Sequence, residues 1–293
     1  MYQTAIISDI HDWHTEKIEY FLKKNGCIVT KLKFNEIKLS FGADKKTFFN
    51  KNIHKLDAVW VRLLNGQSLE EITTKLTYLH LLNDLKIYIH NSAEAIEKTV
   101  DKVRTTGLLK INGIPSPDTD IWIGQKKKNN IVNDSLLKPI FGSQGKGIIL
   151  VKKNTNLTEI KGIGDVYYLQ NFIGELKDQK FSDLRILVSN HKVIASMKRE
   201  SKNFLTNVYL GASYHKTKIS IEIVKLTEKI SRIFGLGYGG IDIKIKNKKI
   251  FILEINSIPS WKNINKLYKK DLTEKLVKDF IKIIEKFKKC PSS

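Results

Sequence analysis

Near the C-terminus the chain alternates strictly between apolar and polar residues. Ile241, Ile243 and Ile245 share one side of their segment, with Asp242 and Lys244 on the other; Phe251, Leu253 and Ile255 share one side of the next, opposite Glu254 and Asn256. A period of two marks a half-buried strand. The segments read as a hairpin closed by the three-residue loop Asn247-Lys248-Lys249. That length opposes Ile241 to Ile255, Ile243 to Leu253, Ile245 to Phe251 and Asp242 to Glu254. A two-residue loop would set Asp242 against Leu253 and invert every later pair.

The chain opens as β-α-β. Residues 3–8 form an apolar run, Thr15 can cap a helix with Ile18, Phe21 and Leu22 on its stripe, Gly26 ends it, and residues 27–32 are a second strand. Such a unit implies a parallel sheet with right-handed crossovers. Ligands approach such sheets at the carboxyl ends of strands, where Asp9, His11, Trp13 and His14 fall; for the two histidines, loop surface is the favoured reading. Residues 56–61 are a strand closed by Arg62. Ser68-Leu69-Glu70-Glu71 is a capping box whose helix carries Leu69, Ile72, Leu76 and Leu79, and residues 86–90 are a last strand. A boundary is placed near residue 91.

Residues 92–112 read as one helical stretch bearing Lys102, ended by Gly113, Pro115 and Pro117. Residues 135–139, the run Gly142-Ser143-Gln144-Gly145-Lys146-Gly147 and residues 148–152 make a strand, a glycine-rich loop and a returning strand. This flap matches neither the Walker loop nor the dinucleotide fingerprint. Its glycines let backbone approach phosphate oxygens, although a plain flexible hairpin fits the spacing as well. Residues 167–173 are a strand, residues 183–189 and 193–199 a hairpin turning at Asn190-His191, and residues 203–214 irregular with Thr206 and Asn207 exposed as polar ligands. Residues 219–234 and 271–289 are amphipathic helices, the second with Leu272, Leu276, Phe280 and Ile283/Ile284 inward.

Length and composition narrow the class. A chain of 293 residues with 41% apolar residues and 5 prolines can bury a large core in about two units. No apolar run spans a bilayer and no signal-peptide pattern opens the chain, so a cytoplasmic protein without a membrane partner is expected. Cys27 and Cys290 are too few for a disulfide framework. The net charge of +21 invites a nucleic-acid reading. The lysines are spread through every element without a basic arm or aromatic interleaving, which disfavours it; anionic small substrates are attracted by the same charge. In the hairpin register above, Asp242, Glu254 and Asn256 form a patch of oxygen donors suited to Mg2+ held with nucleotide phosphates. An ordinary solvated face is the alternative, and the apolar neighbours of Glu254 count against it.

These blocks resemble the ATP-grasp carboxylate–amine ligases, and within them the ribosomal-S6-modification-like α-L-glutamate ligases. The matching stretches are Asn91-Ser92 to Lys102, Gly113-Ile114-Pro115-Ser116-Pro117, Lys138-Pro139 with the flap, Asp183-Leu184-Arg185, Thr206-Asn207 with Gly211, and Gly240-Ile241-Asp242 to Glu254-Ile255-Asn256. Asp9 to His14, Arg62, Ser68 to Thr74, Leu79-His80, the stretch from Ala95 to Lys102, and Glu254 to Trp261 look like the subgroup of tetrahydromethanopterin:α-L-glutamate ligases.

The resemblance implies an α/β chain with an ATP-grasp fold: an N-terminal parallel-sheet (pre-ATP-grasp) domain over residues 1–91, a flap-bearing central subdomain over 92–172, and a C-terminal α+β subdomain with the metal site over 173–293. It assigns Lys102 and Lys138 to the ATP phosphates, under a flap of Gly142, Ser143, Gln144, Gly145 and Gly147. Gln170, Asn171, Phe172 and Ile173 line the adenine pocket, Glu175 is a ribose contact, and Asp183 belongs with the nucleotide ligands. Asp242, Glu254 and Asn256 hold two Mg2+, with Mn2+ admissible. Arg185, Arg199 and Asn207 face the phosphoryl group and the acyl intermediate, while Trp261 packs the domain seam or stacks on a pterin ring. The implied substrates are ATP, L-glutamate and a carboxylate acceptor, a pterin coenzyme first, and a homo-oligomer is common among relatives. Asn171 stands where the family often has an acidic residue, and Leu205 where many relatives carry a basic one. Two readings stay open beside this one. The same ligase chemistry can serve a protein C-terminus, a carrier protein or a deazaflavin coenzyme, or the chain can be a non-catalytic nucleotide- or nucleic-acid-binding module.

Overall fold

The structure is a computed structural model that describes residues 1–41, 53–63, 68–124, 130–142, 145–176 and 179–289; Ser143, Gln144 and Cys290 lie outside them. The chain begins with β1 (Gln3–Ile7), α1 (Trp13–Lys24), β2 (Ile28–Leu32), β3 (Ala58–Val61), α2 (Leu69–Asp84) and β4 (Tyr88–His90). Their strands form a wholly parallel sheet in the order β2-β1-β3-β4. Both faces are covered, as the βαβ pattern requires. Ile6 and Trp60 pack on α1, whereas Ala5, Ile7, Val59 and Val61 pack on α2. The cap of α1 differs from expectation: Asp12, not Thr15, is the N-cap, accepting from the His14 and Thr15 amides. Asp ranks with Asn and Ser, ahead of Thr, at this position, because its side-chain oxygen satisfies an orphan amide of the first turn. Ser68 caps α2 through the Glu71 amide as expected, but Leu69 is exposed and the buried stripe is Lys75, Leu79 and Leu82.

The expected single helix from residue 92 is two, α3 (Ala93–Val100) and α4 (Lys102–Ile111), because Asp101 turns to extended backbone and caps the second. Lys102 therefore opens a helix. The central sheet is antiparallel in the order β5-β8-β6-β7, from β5 (Thr119–Ile123), β6 (Ser135–Leu137), β7 (Ile149–Val151) and β8 (Val166–Asn171). β6 pairs directly with β7 across the flap. The mostly exposed edge strand β5 was not read from the pattern, since no buried face imposes alternation on it.

A second antiparallel sheet, order β11-β10-β9-β12-β13, combines β9 (Phe181–Ser189), β10 (Lys192–Ser201), β11 (Ser213–Lys216), β12 (Tyr238–Lys246) and β13 (Lys249–Asn256). Helices α5 (Ile221–Ile233), α6 (Lys262–Asn265) and α7 (Leu272–Lys289) complete the chain. The β12–β13 hairpin corrects the expected loop. Lys246 pairs with Lys249, leaving the two-residue turn Asn247-Lys248 with both φ positive, the mirror-type turn that fits strand twist. Ile243 consequently opposes Ile252, and Ile252 rather than Leu253 joins the core. A bulge after Ile252 then inserts Leu253, and beyond it Asp242 opposes Glu254 and Ile241 opposes Ile255. The expected pairing at the polar end is thus reached by a different route.

The parallel sheet and the second antiparallel sheet meet at a seam around Asn91. Its side chain donates to the carbonyls of Tyr238 (2.7 Å) and Ser257 (2.6 Å) and accepts from the amides of Gly237 (2.6 Å) and Tyr238 (3.2 Å). Gly237 is required there, since a Cβ would run into the His90 ring. His90 stacks on Tyr238, and burial pushes its pKa down to about 3, so it packs as a neutral ring. Trp261 is fully buried, against His14 and Tyr238, with Nε1 donating to Thr273; it packs the seam and has no free face. Asn91→Ala should lower the unfolding free energy in urea by about 3–5 kcal/mol, because several buried backbone groups lose their partner together.

Candidate active site

A cavity of about 600 Å³ opens between the three sheets. This size suits a small-molecule site. Its walls come from α4 (Lys102, Thr106), the flap (Lys138, Gly142, Gly145), β8 (Tyr168, Gln170), the second antiparallel sheet (Asp183, Arg185, Arg199, Asp242), β13 (Glu254, Asn256), the 204–209 segment, and the carboxyl end of the parallel sheet (Asp12, His14, Arg62).

The floor is a buried ion network set by strand periodicity. Asp183 and Arg185 are two residues apart on β9 and share a face. Asp183 pairs in register with Arg199 on β10, and Arg185 with Asp242 on β12. Arg199 donates to both oxygens of Asp183 (2.6 and 2.5 Å) and to Asp242 (2.8 Å), while Arg185 grips Asp242 bidentately (2.7 and 2.6 Å). Thr206 adds a hydroxyl donor to Asp183 at 2.6 Å. Burial works against the charge of Asp242, but the two guanidiniums overcome it and hold its pKa down to about 2. Burial instead pushes Asp183 up, helped by the neighbouring Asp242 charge. Burial also counts against Arg199, and the two carboxylates more than restore its charge.

At the flap end, Lys138 donates to the Gln170 side-chain oxygen at 2.6 Å. Gln170 is oriented by donating to Thr119 and Tyr168 (3.1 Å each), and Tyr168 bonds Thr106 at 2.6 Å. Lys102 donates to the carbonyls of Gly142 (2.9 Å) and Ile140 (3.3 Å), tying the first turn of α4 to the flap. Burial lowers the pKa of Lys138 to about 8, with Lys102 lowering it further and Glu254 opposing. Lys102 is lowered too, first by burial. Gly145 has φ +74, and a Cβ there would sit 3.5 Å from Leu205, so that leucine lies beneath the flap.

The resemblance-derived residues divide accordingly. Lys102, Lys138, Gly142, Gly145, Gln170, Asp183, Arg185, Arg199, Asn207, Asp242, Glu254 and Asn256 all line the cavity. Gly147 has positive φ beside Pro139 but is not part of the lining. Neither are Asn171, Phe172, Ile173 and Glu175. The Asn171 and Phe172 amides donate to the Asp118 and Asp134 carbonyls, which fixes their backbone within the central sheet. Glu175 is exposed, 4.0 Å from Lys246. The side-chain oxygen of Asn207 caps a local turn through the Tyr209 amide.

Glu254 and Asn256 present oxygens of the type a hard cation takes. Glu254 accepts no hydrogen bond among the described residues, and buried Asn256 Nδ2 has no partner. Both oxygens of Asp242 are already engaged by the arginines, and no group of three His, Cys, Asp or Glu residues fit for a metal forms among the described residues. The donor set therefore fits Mg2+ through Glu254 and Asn256, with Asp242 available only by sharing.

His14 was expected on loop surface and is instead buried. Its Nδ1 bonds Asp12 at 2.7 Å, and its Nε2 accepts from the Trp261 amide at 3.2 Å, which fixes the proton on Nδ1. Burial lowers its pKa, keeping it neutral. Asp12, Arg62, Tyr168, Thr106, Phe204 and Leu205 were not read as site residues. Only the spacing of Tyr168 and Gln170 on one face of β8 offered a signal.

The chain matches the RimK-like ATP-grasp domain over residues 99–280, more than half its length, and belongs to that family. It is a ligase of the ATP-grasp type. It is 26% identical over 97% of its length to the tetrahydromethanopterin:alpha-L-glutamate ligase of Methanococcus maripaludis, covering 99% of that protein. It is 29% identical over 86% of its length to the ligase of the same name from Methanocaldococcus jannaschii, covering 88%. A probable alpha-L-glutamate ligase of Maridesulfovibrio salexigens is 31% identical over 67% of each chain. The fold is that of the ATP-grasp ligase PsnB solved with a minimal precursor, Mg and ADP (TM-score 0.72, 16% identity, 96% and 97% of the two chains) and of D-alanine–D-alanine ligase from Bacillus anthracis (TM-score 0.69, 12% identity, 100% of both).

Arg199→Met leaves Asp183 buried with only a hydroxyl partner and should cost about 3–5 kcal/mol of stability. The carboxyl pKa of Asp183 then climbs further, so the folded state binds more protons than the unfolded one and stability falls as pH rises. Urea titrations should show a larger deficit at neutral than at mildly acidic pH.

Proposed function

We propose that the protein joins L-glutamate to a carboxylate acceptor, tetrahydromethanopterin or a related pterin coenzyme, through an acyl phosphate. The observation that carries the reaction is the meeting, in one cavity, of two half-buried lysines, a glycine flap, the side-chain oxygens of Glu254 and Asn256, and two arginines. The likeness to the two archaeal ligases over most of the chain supports the pterin acceptor.

In this reading Lys102 and Lys138 hold the ATP phosphates and the flap excludes water, which an acyl phosphate requires. Phosphoryl transfer needs positioning and positive charge more than covalent help. An acceptor carboxylate oxygen bonds to the γ-phosphorus as the bond to the ADP oxygen breaks. The amine of glutamate then attacks the acyl carbon, and phosphate leaves with the former carboxylate oxygen. Glu254 and Asn256, with Asp242 if its arginine bonds are shared, would hold two Mg2+, or Mn2+, which would neutralise charge on the phosphate oxygens. Arg185 is the better placed of the two arginines to face the tetrahedral oxyanion, since its side chain is 18% exposed against 6% for Arg199. Of the adenine-pocket residues, Gln170 is the one that reaches the cavity.

Purified protein should release ADP only when ATP, L-glutamate and the pterin are all present, and the pterin should gain the mass of one or more glutamyl residues. ADP release without acceptor, or addition to a peptide terminus or deazaflavin instead, would overturn the acceptor assignment. Glu254→Gln should lower kcat/KM about 10²–10³-fold with unchanged thermal stability. Lys138 loses its proton as pH rises through about 8. The KM for ATP should therefore rise across that range in the wild type and stay level in Lys138→Arg.

A further inference from the structure

Two guanidiniums in this cavity are almost wholly buried, and they are treated differently. Arg199 is 5% exposed and receives three carboxylate contacts. Arg62 is 2% exposed and pairs with no carboxylate among the described residues. It ends β3, a central strand of the parallel sheet, and its amide donates to the Ile7 carbonyl. One side of its guanidinium is clamped: Nη1 donates to the Pro259 carbonyl at 2.9 Å and lies 3.5 Å from the Tyr238 hydroxyl, and the group sits 4.7 Å from the Trp261 ring centre. Nε is buried with no partner, and no hydrogen bond forms from Nη2 among the described residues.

A buried cation without a counter-ion is costly, and a guanidinium edge with two free N–H groups matches a carboxylate bidentately. Asp12, which also lines this end, does not fill the place. Its oxygens are taken by the His14 ring and by the His14 and Thr15 amides. His14 is neutral and has its Nε2 committed to Trp261. The guanidinium is thus fixed rigidly near the charge of Asp12, but neither that carboxylate nor any other among the described residues bonds its Nε and Nη2 edge.

We propose that Arg62 is a substrate-binding residue that takes a non-reacting carboxylate of glutamate or of the acceptor at the parallel-sheet end of the cavity. This rests on the ligase reading above, and the carboxylate is non-reacting because the phosphate-holding lysines come from the flap side. The first experiment needs no turnover: full-length protein carrying 15N-arginine is titrated with glutarate, and the Arg62 Nε–H resonance is assigned by its absence in Arg62→Lys. It should shift with glutarate. An unmoved resonance at saturating glutarate overturns the proposal. The second measures KM for ATP, glutamate and acceptor in Arg62→Lys and the size-matched Arg62→Met. One carboxylate substrate should show a KM raised about 10- to 100-fold, the others unchanged. A rise for glutamate assigns its side chain or α-carboxylate, and a rise for the acceptor assigns an acceptor carboxylate. Equal loss toward all three substrates, or a fall in kcat alone, makes Arg62 structural and overturns the proposal. Should the wild type form no glutamyl product while glutarate still moves the resonance, the ligase reading fails and the anion site stands.

Discussion

The site depends on a charge constraint: Asp183, Asp242 and Arg199 are buried, with Arg185 part-buried beside them, across three adjacent strands, and losing Arg199 would leave Asp183 with only a hydroxyl partner. Asp183 and Arg199 face each other between β9 and β10, Arg185 and Asp242 between β9 and β12, and the Arg199–Asp242 diagonal closes the set. Opposite charges at directly opposed positions favour one strand register over its neighbours. A slip of one residue would send a charge into the core that holds Ile186, Ile241 and Ile243. The network therefore aligns the sheet that carries the cavity floor. It also consumes Asp242, leaving Glu254 as the carboxylate of the hairpin whose side chain accepts no hydrogen bond among the described residues.

The bulge at Leu253 shows how that division is made. The tight Asn247-Lys248 turn imposes one register on the distal hairpin, where Ile243 meets Ile252 and Ile245 meets Ile250. Continued unchanged, it would set Asp242 opposite Leu253 and turn Glu254 away from it. One inserted residue restores the Asp242–Glu254 pairing and lets Leu253, Glu254 and Asn256 all reach the cavity. Bulges that re-aim side chains beside functional sites are common for this reason.

This also separates what was legible in the sequence from what was not. Strict alternation gave β12 and β13, and the paired polar residues at their inner ends, because one face is buried and the pattern must follow. It could not give the loop length, since a three-residue loop and a two-residue loop plus bulge produce the same pairing near Asp242. The edge strands β5 and β11 were missed, with no buried face to write a period into Ser213–Lys216 or Thr119–Ile123. The break at Asp101 was missed because a helical pattern continues through it, and only a side-chain cap marks the restart. His14 looked like loop surface because its burial comes from Ser260 and Trp261, more than two hundred residues away in the chain. The glycine flap was legible as a strand–loop–strand pattern, whereas the roles of Lys102 and Lys138 entered through family resemblance, since no local rule distinguishes them from the other lysines.

The overall charge of +21 is a poor guide to what enters the cavity, and the local balance is a better one. Among the lining residues, Arg62, Lys102, Lys138, Lys146, Arg185 and Arg199 outnumber Asp12, Asp183, Asp242 and Glu254 by two. The arginine network is internally neutral and Asp12 is spent on a helix cap and a histidine. The lining cations with no ion pair among the described residues include Lys102 and Lys138 on the flap side and Arg62 on the parallel-sheet side, with Glu254 and Asn256 also on the walls. In a low-dielectric cleft such separated charge attracts polyanions more strongly than diffuse surface lysines do. A molecule set between those sides, phosphates toward the flap and a carboxylate toward the parallel sheet, would neutralise both, which suits a ligase of the ATP-grasp type.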